Sequence, residues 1–186
     1  MKKSNVLVCE KGFTLIELIV VFTVMAILST IGVVSFVSYS RTQVINQAVS
    51  DLVQNLNMAK SLSASQLKTL DKNGSGSMGC LPEQSLNGYG IQINQVQNDY
   101  ALYMQCINSN GQKAPITTDP SWQTSLPKND VVFDSSLANA TNVYFPVLSG
   151  GIITTGGNVI VLKSAYAGIT QKTIHLSQGY ISVTSP

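Results

Sequence analysis

Side chains able to do catalytic chemistry are few in this sequence, and they lie far apart. His175 is the only histidine, so a histidine-based zinc site or a Ser-His-Asp arrangement lacks its partners. Alternation with its apolar neighbours places His175 on the exposed side of a predicted strand. Four acidic residues fall in predicted loops, where solvated turn positions are expected: Asp99, Asp119, Asp130 and Asp134. The sequence therefore predicts a protein that is not an enzyme and that uses no metal or cofactor.

Weaker binding signals are present, but none has the spacing of a defined site. Asp130 and Asp134 lack the spacing of an EF-type calcium loop, although a looser calcium site stays open. Trp122 is interpreted as an anchor of the domain rather than as a binding platform. Two triplets fit the glycosylation pattern, at Asn73 and at Asn139, and such triplets are frequent by chance.

The least expected charged residue is Glu17, because it lies inside an apolar run. Nearly every residue from Phe13 to Val37 is apolar, and about 20 such residues suffice for a helix to cross a bilayer. Lysines before the run predict that this end lies in the cytoplasm. An ionised carboxylate at membrane depth costs several kcal/mol unless it is paired. A plain membrane anchor with a chance glutamate is the alternative interpretation.

The position of a small residue distinguishes this segment from an ordinary secretory signal. Such signals are cleaved after the apolar stretch, beside small residues, whereas here Gly12 comes before it. Residues 11–18, KGFTLIEL, resemble the type IV prepilin signature. The resemblance implies that a prepilin peptidase cuts between Gly12 and Phe13 and that the new amine of Phe13 is N-methylated. It also implies that Glu17 neutralises the N-terminal amine of an adjacent subunit during assembly.

Removal of the leader, residues 1–12, changes the charge balance and the cysteine count. The leader holds three of the 11 basic and one of the 9 acidic residues, so the mature chain carries eight of each. Its neutrality gives no electrostatic basis for binding nucleic acid. Cys9 leaves with the leader. Cys80 and Cys106 remain as an even pair that favours a disulfide in an exported domain, with two free buried thiols as the alternative.

Helical periodicity continues beyond the apolar run. Apolar residues recur at three- and four-residue steps, which is typical of an amphipathic helix with one narrow face. These residues are Ile45, Val49, Leu52, Leu56 and Ala59, extended less cleanly by Ser63 and Leu67. No proline occurs between Phe13 and Leu81, and Gly32 is expected to be a softer point. We expect one helix from Phe13 to about Leu67, whose second half needs an apolar surface to pack on.

From Cys80 onward, short runs of β-forming residues alternate with turn residues. They predict strands at 89–93, 100–106, 131–133, 143–147, 151–154, 159–162, 172–176 and 180–183. The run 159–162 is apolar throughout, as expected of a strand covered on both faces. The sequence predicts an α+β, pilin-like fold in which a long N-terminal helix packs on an antiparallel β-rich domain. The predicted divisions are the leader 1–12, a transmembrane half-helix 13–38, an amphipathic half-helix 39–70, a linker 71–79 and a β-rich domain 80–186.

The β-rich segments carry a second resemblance, to the H-type minor pseudopilins and the related T-type minor pilins. It rests on GYGI at 88–91, YALY at 100–103, VYFP at 143–146, SGGII at 149–153, VIVL at 159–162 and TIHLSQGYISV at 173–183. The resemblance implies a structural subunit of a type IV pilus or of a type II secretion-like filament. The partners implied are the prepilin peptidase, other pilin or pseudopilin subunits, the inner-membrane assembly platform and membrane lipid.

The same resemblance implies a location and leaves one alternative function. The chain is expected to cross the bacterial inner membrane once, with a cytoplasmic N-terminus and a periplasmic or extracellular C-terminal domain. The alternative is a pilus-tip module for DNA uptake or surface adhesion. The DNA version is disfavoured because only four lysines follow Gly79: Lys113, Lys128, Lys163 and Lys172.

Overall fold

The computed structural model describes residues 12–68, 79–114, 116–127, 130–135, 139–166 and 171–185. One helix comes first, α1 Leu15–Ser65, within two residues of both predicted ends. The strands follow in the order β1 Ser85–Asn94, β2 Asp99–Ile107, β3 Thr117–Ser125, β4 Val131–Phe133, β5 Asn142–Pro146, β6 Ile153–Thr155, β7 Val159–Ser164, β8 Lys172–Ser177 and β9 Tyr180–Thr184. The predicted α+β class is confirmed. The chain divides into two compact units, residues 1–40 and 41–186, and most of the predicted linker lies outside the described residues.

The nine strands form two sheets, and every ladder between them is antiparallel. The large sheet has the order β3-β2-β1-β5-β6, and the small sheet has the order β4-β7-β8-β9. β1 lies at the centre of the large sheet, where Tyr89 pairs with Met104 on one side and with Phe145 on the other. The run 160–162 in β7 is buried, as predicted for a strand covered on both faces.

The second half of α1 buries the apolar stripe that its periodicity predicts. Ile45, Leu52, Leu56 and Ala59 have no exposed surface, and the same core contains residues of both sheets. Ser63 is also buried, and its hydroxyl forms hydrogen bonds with two backbone groups. The Ser63 hydroxyl donates to the Phe145 carbonyl at 2.5 Å and accepts from the Tyr89 amide at 2.9 Å. Leu67 lies past the end of α1 and is exposed, so its predicted place in the stripe is wrong.

Two buried asparagines hold the small sheet to its surroundings through backbone contacts. Asn98, in the β1–β2 turn, donates to the Val131 carbonyl at 2.8 Å and accepts from the Phe133 amide at 3.0 Å. Its φ of 60° is the left-handed conformation that asparagine tolerates better than most residues. Asn139 likewise donates to the Asp134 carbonyl and accepts from the Val161 amide. Because Asn139 is only 2% exposed, its glycosylation triplet is closed off in the fold.

β3 was expected to be a loop, and this expectation was wrong. Asp119 and Pro120 are turn formers, and the segment has no alternation of apolar residues. β3 forms nonetheless because it is an edge strand that pairs only with β2, where a proline breaks no second ladder. Trp122 lies in this edge strand and is 36% exposed, and its role as a domain anchor stays a prediction.

Two of the four acidic residues expected in solvated turns are buried. Asp99 begins β2 and is 8% exposed, and Asp134 follows β4 and is 6% exposed. The Asp134 carboxylate contacts the Lys163 ammonium at 3.0 Å, which a calcium ion would have to displace. No group of three candidate metal ligands occurs in the described ranges. His175 is exposed on β8, as predicted.

Candidate functional site

The start of α1 carries the residues that the sequence assigns to processing and assembly. Residues 12–14 are non-helical, and the helix begins at Leu15. The Thr14 hydroxyl accepts a hydrogen bond from the Glu17 amide at 3.3 Å, which is the geometry of a helix N-cap. Sequence reasoning missed this cap. Its signal was present, since a threonine three residues before a glutamate is the spacing of a capping box.

Gly12 has no structural role within the described part of this chain. A Cβ atom added at Gly12 would meet nothing within 4 Å, and its backbone does not adopt a positive φ. Glycine is required elsewhere in this protein for tight packing. At Gly90, for example, an added Cβ would lie 2.4 Å from the Tyr103 ring. Any requirement for glycine at position 12 therefore comes from outside the described part of this chain.

The described side chains in the apolar half of α1, and Phe13 just before it, are exposed. Phe13 is 82% exposed, Ile16 71% and Phe36 71%. An 18-residue window of α1 has a mean hydropathy of 2.5, and none of that window is buried. By length and composition this is the one described helix able to cross a membrane. Such a continuous apolar surface needs lipid or protein to cover it, which is consistent with membrane anchoring.

Polar groups in this half of the helix fall into two classes. The hydroxyls of Thr23, Ser29 and Thr30 each donate to a carbonyl three or four residues earlier, at 2.7–2.8 Å. Such bonds satisfy a hydroxyl within its own helix, which makes it tolerable in hydrocarbon. The Glu17 carboxylate has no hydrogen-bond or ion-pair partner among the described residues. Any partner of this carboxylate therefore lies outside the part of the chain that the structure describes.

Cys80 and Cys106 form a disulfide, which confirms the favoured interpretation of the cysteine pair. The two Cα atoms lie 5.7 Å apart and are separated by 26 residues in sequence. Cys80 is the second described residue after the gap, and Cys106 lies near the end of β2. The bond therefore fastens the entry of the β-rich region to the large sheet. It lies in the unit 41–186, apart from the processing residues Gly12, Phe13 and Glu17 in the unit 1–40.

A pair of tyrosines on the outer face of the large sheet was not predicted. The rings of Tyr103 and Tyr144 stack with centroids 6.4 Å apart, above Gly90 and Gly88 respectively. Burial raises the pKa of each phenol to about 12. The Tyr103 hydroxyl donates to the Asn142 side chain at 2.6 Å, whereas the buried Tyr144 hydroxyl has no hydrogen-bond partner among the described residues. The alternation of Gly88 and Gly90 was the available signal, because glycine in a strand often marks close approach of another group.

Comparison with known protein families finds one match, to the prokaryotic N-terminal methylation motif, over residues 8–33. The match supports a type IV pilin-like protein and implies processing by a prepilin peptidase and assembly with other pilins. Comparisons with curated proteins and with solved structures find no match.

Proposed function

We propose that this chain is a minor pilin or pseudopilin, a structural subunit of a type IV pilus or of a type II secretion-like filament. The prepilin peptidase cleaves it between Gly12 and Phe13, and the new amine of Phe13 is methylated. The Glu17 carboxylate then pairs with the N-terminal amine of a neighbouring subunit. The subunit crosses the inner membrane once and carries its β-rich domain on the periplasmic or extracellular side. It resembles the H-type group and has no enzymatic role.

The observation that carries this proposal is the unpartnered Glu17 carboxylate within an exposed apolar helix. The motif match covers this residue, and neighbouring hydroxyls are satisfied internally. A carboxylate and an ammonium that are each costly in lipid become tolerable as a pair. A methylated amine keeps its positive charge, so methylation leaves the pairing intact. The exposed apolar surface between Phe13 and Val37 supplies the packing area for other helices.

Processing is tested at Gly12. Gly12→Leu is expected to leave the full-length chain, beginning at Met1, in the membrane fraction, because the large side chain obstructs the peptidase. Gly12→Ala is the graded control, since its added Cβ meets no atom of the described residues within 4 Å. Intact-mass spectrometry of the purified membrane form shows for each variant whether the leader has been removed. Normal cleavage of Gly12→Leu would contradict the assignment of the site.

Assembly is tested at Glu17. Glu17→Ala is expected to be inserted and cleaved normally but to be about tenfold depleted from sheared filaments or crosslinked oligomers, because the neighbouring amine loses its counter-charge. Glu83→Ala removes the same charge at an exposed position in the other unit and serves as the matched control. Equal incorporation of the two variants would show that Glu17 has no pairing role.

A further inference from the structure

We propose that the outer face of the large sheet holds a binding site for a neutral saccharide. A cavity of about 470 Å³ opens there, beside the β1–β2 hairpin. This volume falls in the range of small-molecule sites. The site is independent of the proposed filament role, since it lies wholly in the unit 41–186 and uses none of the processing residues.

The cavity lies beside an irregularity in the ladder between β2 and β3. Ala101 of β2 pairs with Gln123, but two residues later Tyr103 pairs with Thr118. The pairing is therefore out of step between these two positions, at the edge of the large sheet. Ala101 contributes a small side chain to the lining, while Thr118 and Gln123 lie on either side of the irregularity.

Polar side chains without charge dominate the lining, apart from one carboxylate. Glutamines approach from the hairpin and from β3: Gln92, Gln95, Gln97 and Gln123. Gln92 and Gln95 make no side-chain hydrogen bond with any described residue. The side-chain oxygen of Gln97 accepts a hydrogen bond from the Asn94 side chain at 2.9 Å, which leaves the NH₂ donors of Gln97 available. Amides of this kind present a donor and an acceptor side by side. Adjacent hydroxyl groups of a sugar ring both donate and accept hydrogen bonds, so they match such a donor and acceptor pair.

The carboxylate is that of Asp99, which is 8% exposed and lines the cavity. Asp99 accepts a hydrogen bond from the Gln123 amide at 2.7 Å, and it has no cationic partner among the described residues. Burial of an unpaired carboxylate is costly, so its retention here needs a reason. A carboxylate held by an amide is a strong acceptor for hydroxyl donors, and a sugar supplies them.

The lining also argues against other ligand classes. Among the lining residues that the structure describes there is no lysine or arginine, so phosphates, nucleic acids and carboxylated ligands would meet only the negative charge of Asp99 there. A calcium ion prefers several carboxylate oxygens, and Asp99 is the only acidic residue among those described lining residues. Val96, at the hairpin tip, is 96% exposed and offers an apolar contact to the C–H face of a sugar.

The test uses the full chain in micelles of lauryldimethylamine oxide, a detergent without a sugar group. Maltotriose and triacetylchitotriose are the probes, and saturation-transfer difference NMR is the measurement. Wild-type protein is expected to transfer saturation to the ring protons of at least one probe. Ala101→Phe, which fills the cavity, and Gln92→Leu, which removes a free amide, are expected to lower the transfer about tenfold, as for loss of hydrogen bonds to a ligand hydroxyl.

Matched controls separate loss of the site from loss of the fold. Gln178→Leu makes the same substitution at an exposed turn outside the cavity and should keep the wild-type signal. Gln92→Leu covers the case in which Ala101→Phe fails to fold, which Trp122 fluorescence would reveal. Absence of transfer to both probes overturns the proposal. Transfer that persists in Gln92→Leu, or that depends on added calcium and disappears with a chelator, overturns it as well.

Discussion

The two halves of α1 present opposite relations between sequence and environment. Residues 13–38 are apolar around the whole circumference of the helix, and those of their side chains that the structure describes are exposed. Residues 41–65 are apolar along one stripe only, and that stripe is buried against residues of both sheets. The two halves of this one helix are therefore suited to different environments. The second half finds its cover within its own unit, whereas the first half must find cover in lipid or in other subunits.

Single substitutions in the two halves of α1 should therefore change different properties of the protein. In the second half, a side chain contributes to the stability of this chain, and its removal leaves a cavity. In the first half, a side chain contributes to insertion and assembly, and its removal leaves the folded domain unchanged. That division and the contacts within the unit 41–186 give five expected outcomes, beginning with the greatest loss of stability. Each uses Trp122, the only tryptophan, as a fluorescent probe of the β-rich unit during urea unfolding.

Loss of the disulfide should have the largest effect. The double variant Cys80→Ser, Cys106→Ser is expected to lower the free energy of unfolding by about 3.5 kcal/mol, because the unfolded chain regains the entropy of a loop of this length. Cys9→Ser is the matched control, since Cys9 lies outside the described residues and within the predicted leader. Equal free energies of unfolding for the double variant and wild type would show that the disulfide does not stabilise this unit.

A matched pair of leucines tests the division within α1 directly. Leu56 has no exposed surface, so Leu56→Ala is expected to lower the free energy of unfolding by about 3 kcal/mol. Leu28 is 64% exposed, so Leu28→Ala is expected to leave the urea midpoint unchanged. A comparable loss in both variants would mean that the first half of the helix also belongs to the folded core, and the contrast would fail.

Asn98 is a buried side chain of the unit 41–186 that contacts β4 of the small sheet. Asn98→Ala is expected to cost about 2 kcal/mol, because the Val131 carbonyl and the Phe133 amide lose their buried partner. Asn158→Ala, at an exposed position of the same unit, should change stability by less than about 0.5 kcal/mol. Identical urea midpoints for the two variants would show that Asn98 is not needed to hold β4.

The stacked tyrosines should give the smallest and most discriminating effect. Tyr103→Phe is expected to cost about 1 kcal/mol because it removes the hydrogen bond to Asn142. Tyr144→Phe is expected to be neutral or slightly stabilising because the buried Tyr144 hydroxyl finds no partner in the described part of the chain. A larger loss from Tyr144→Phe than from Tyr103→Phe would contradict the assignment of partners.

The same tyrosines predict a dependence of stability on pH. Burial raises the pKa of Tyr103 and of Tyr144 to about 12, above the usual value of 10.0. The unfolded chain therefore binds fewer protons than the folded chain between these values. Stability should be constant below pH 10 with respect to these groups and should fall as the pH rises toward 12. Urea midpoints of wild type and Tyr144→Phe, measured across that range, should differ in slope.

Much of the architecture was predictable because local physics and the fold agree there. The helix ends, the stripe from Ile45 to Ala59 and most of the strands follow from periodicity. β3 was not predictable, since Asp119 and Pro120 favour a turn and only the free edge of β2 makes a strand of them. The burial of Asp99 and Asp134 was not predictable either. Their partners, Gln123 and Lys163, are 24 and 29 residues away in sequence.

The sequence by itself determined the candidate processing site. Gly12, Phe13 and Glu17 lie within six consecutive residues, and their meaning depends on the apolar run that follows rather than on any distant part of the chain. The cavity beside Ala101, by contrast, depends on how β2 and the β1–β2 hairpin meet β3 in the folded unit. The fold likewise brings Ser63 to two backbone groups and leaves the Tyr144 hydroxyl without a hydrogen-bond partner among the described residues. Contacts between residues far apart in sequence depend on packing and register, and neither is encoded in a local pattern.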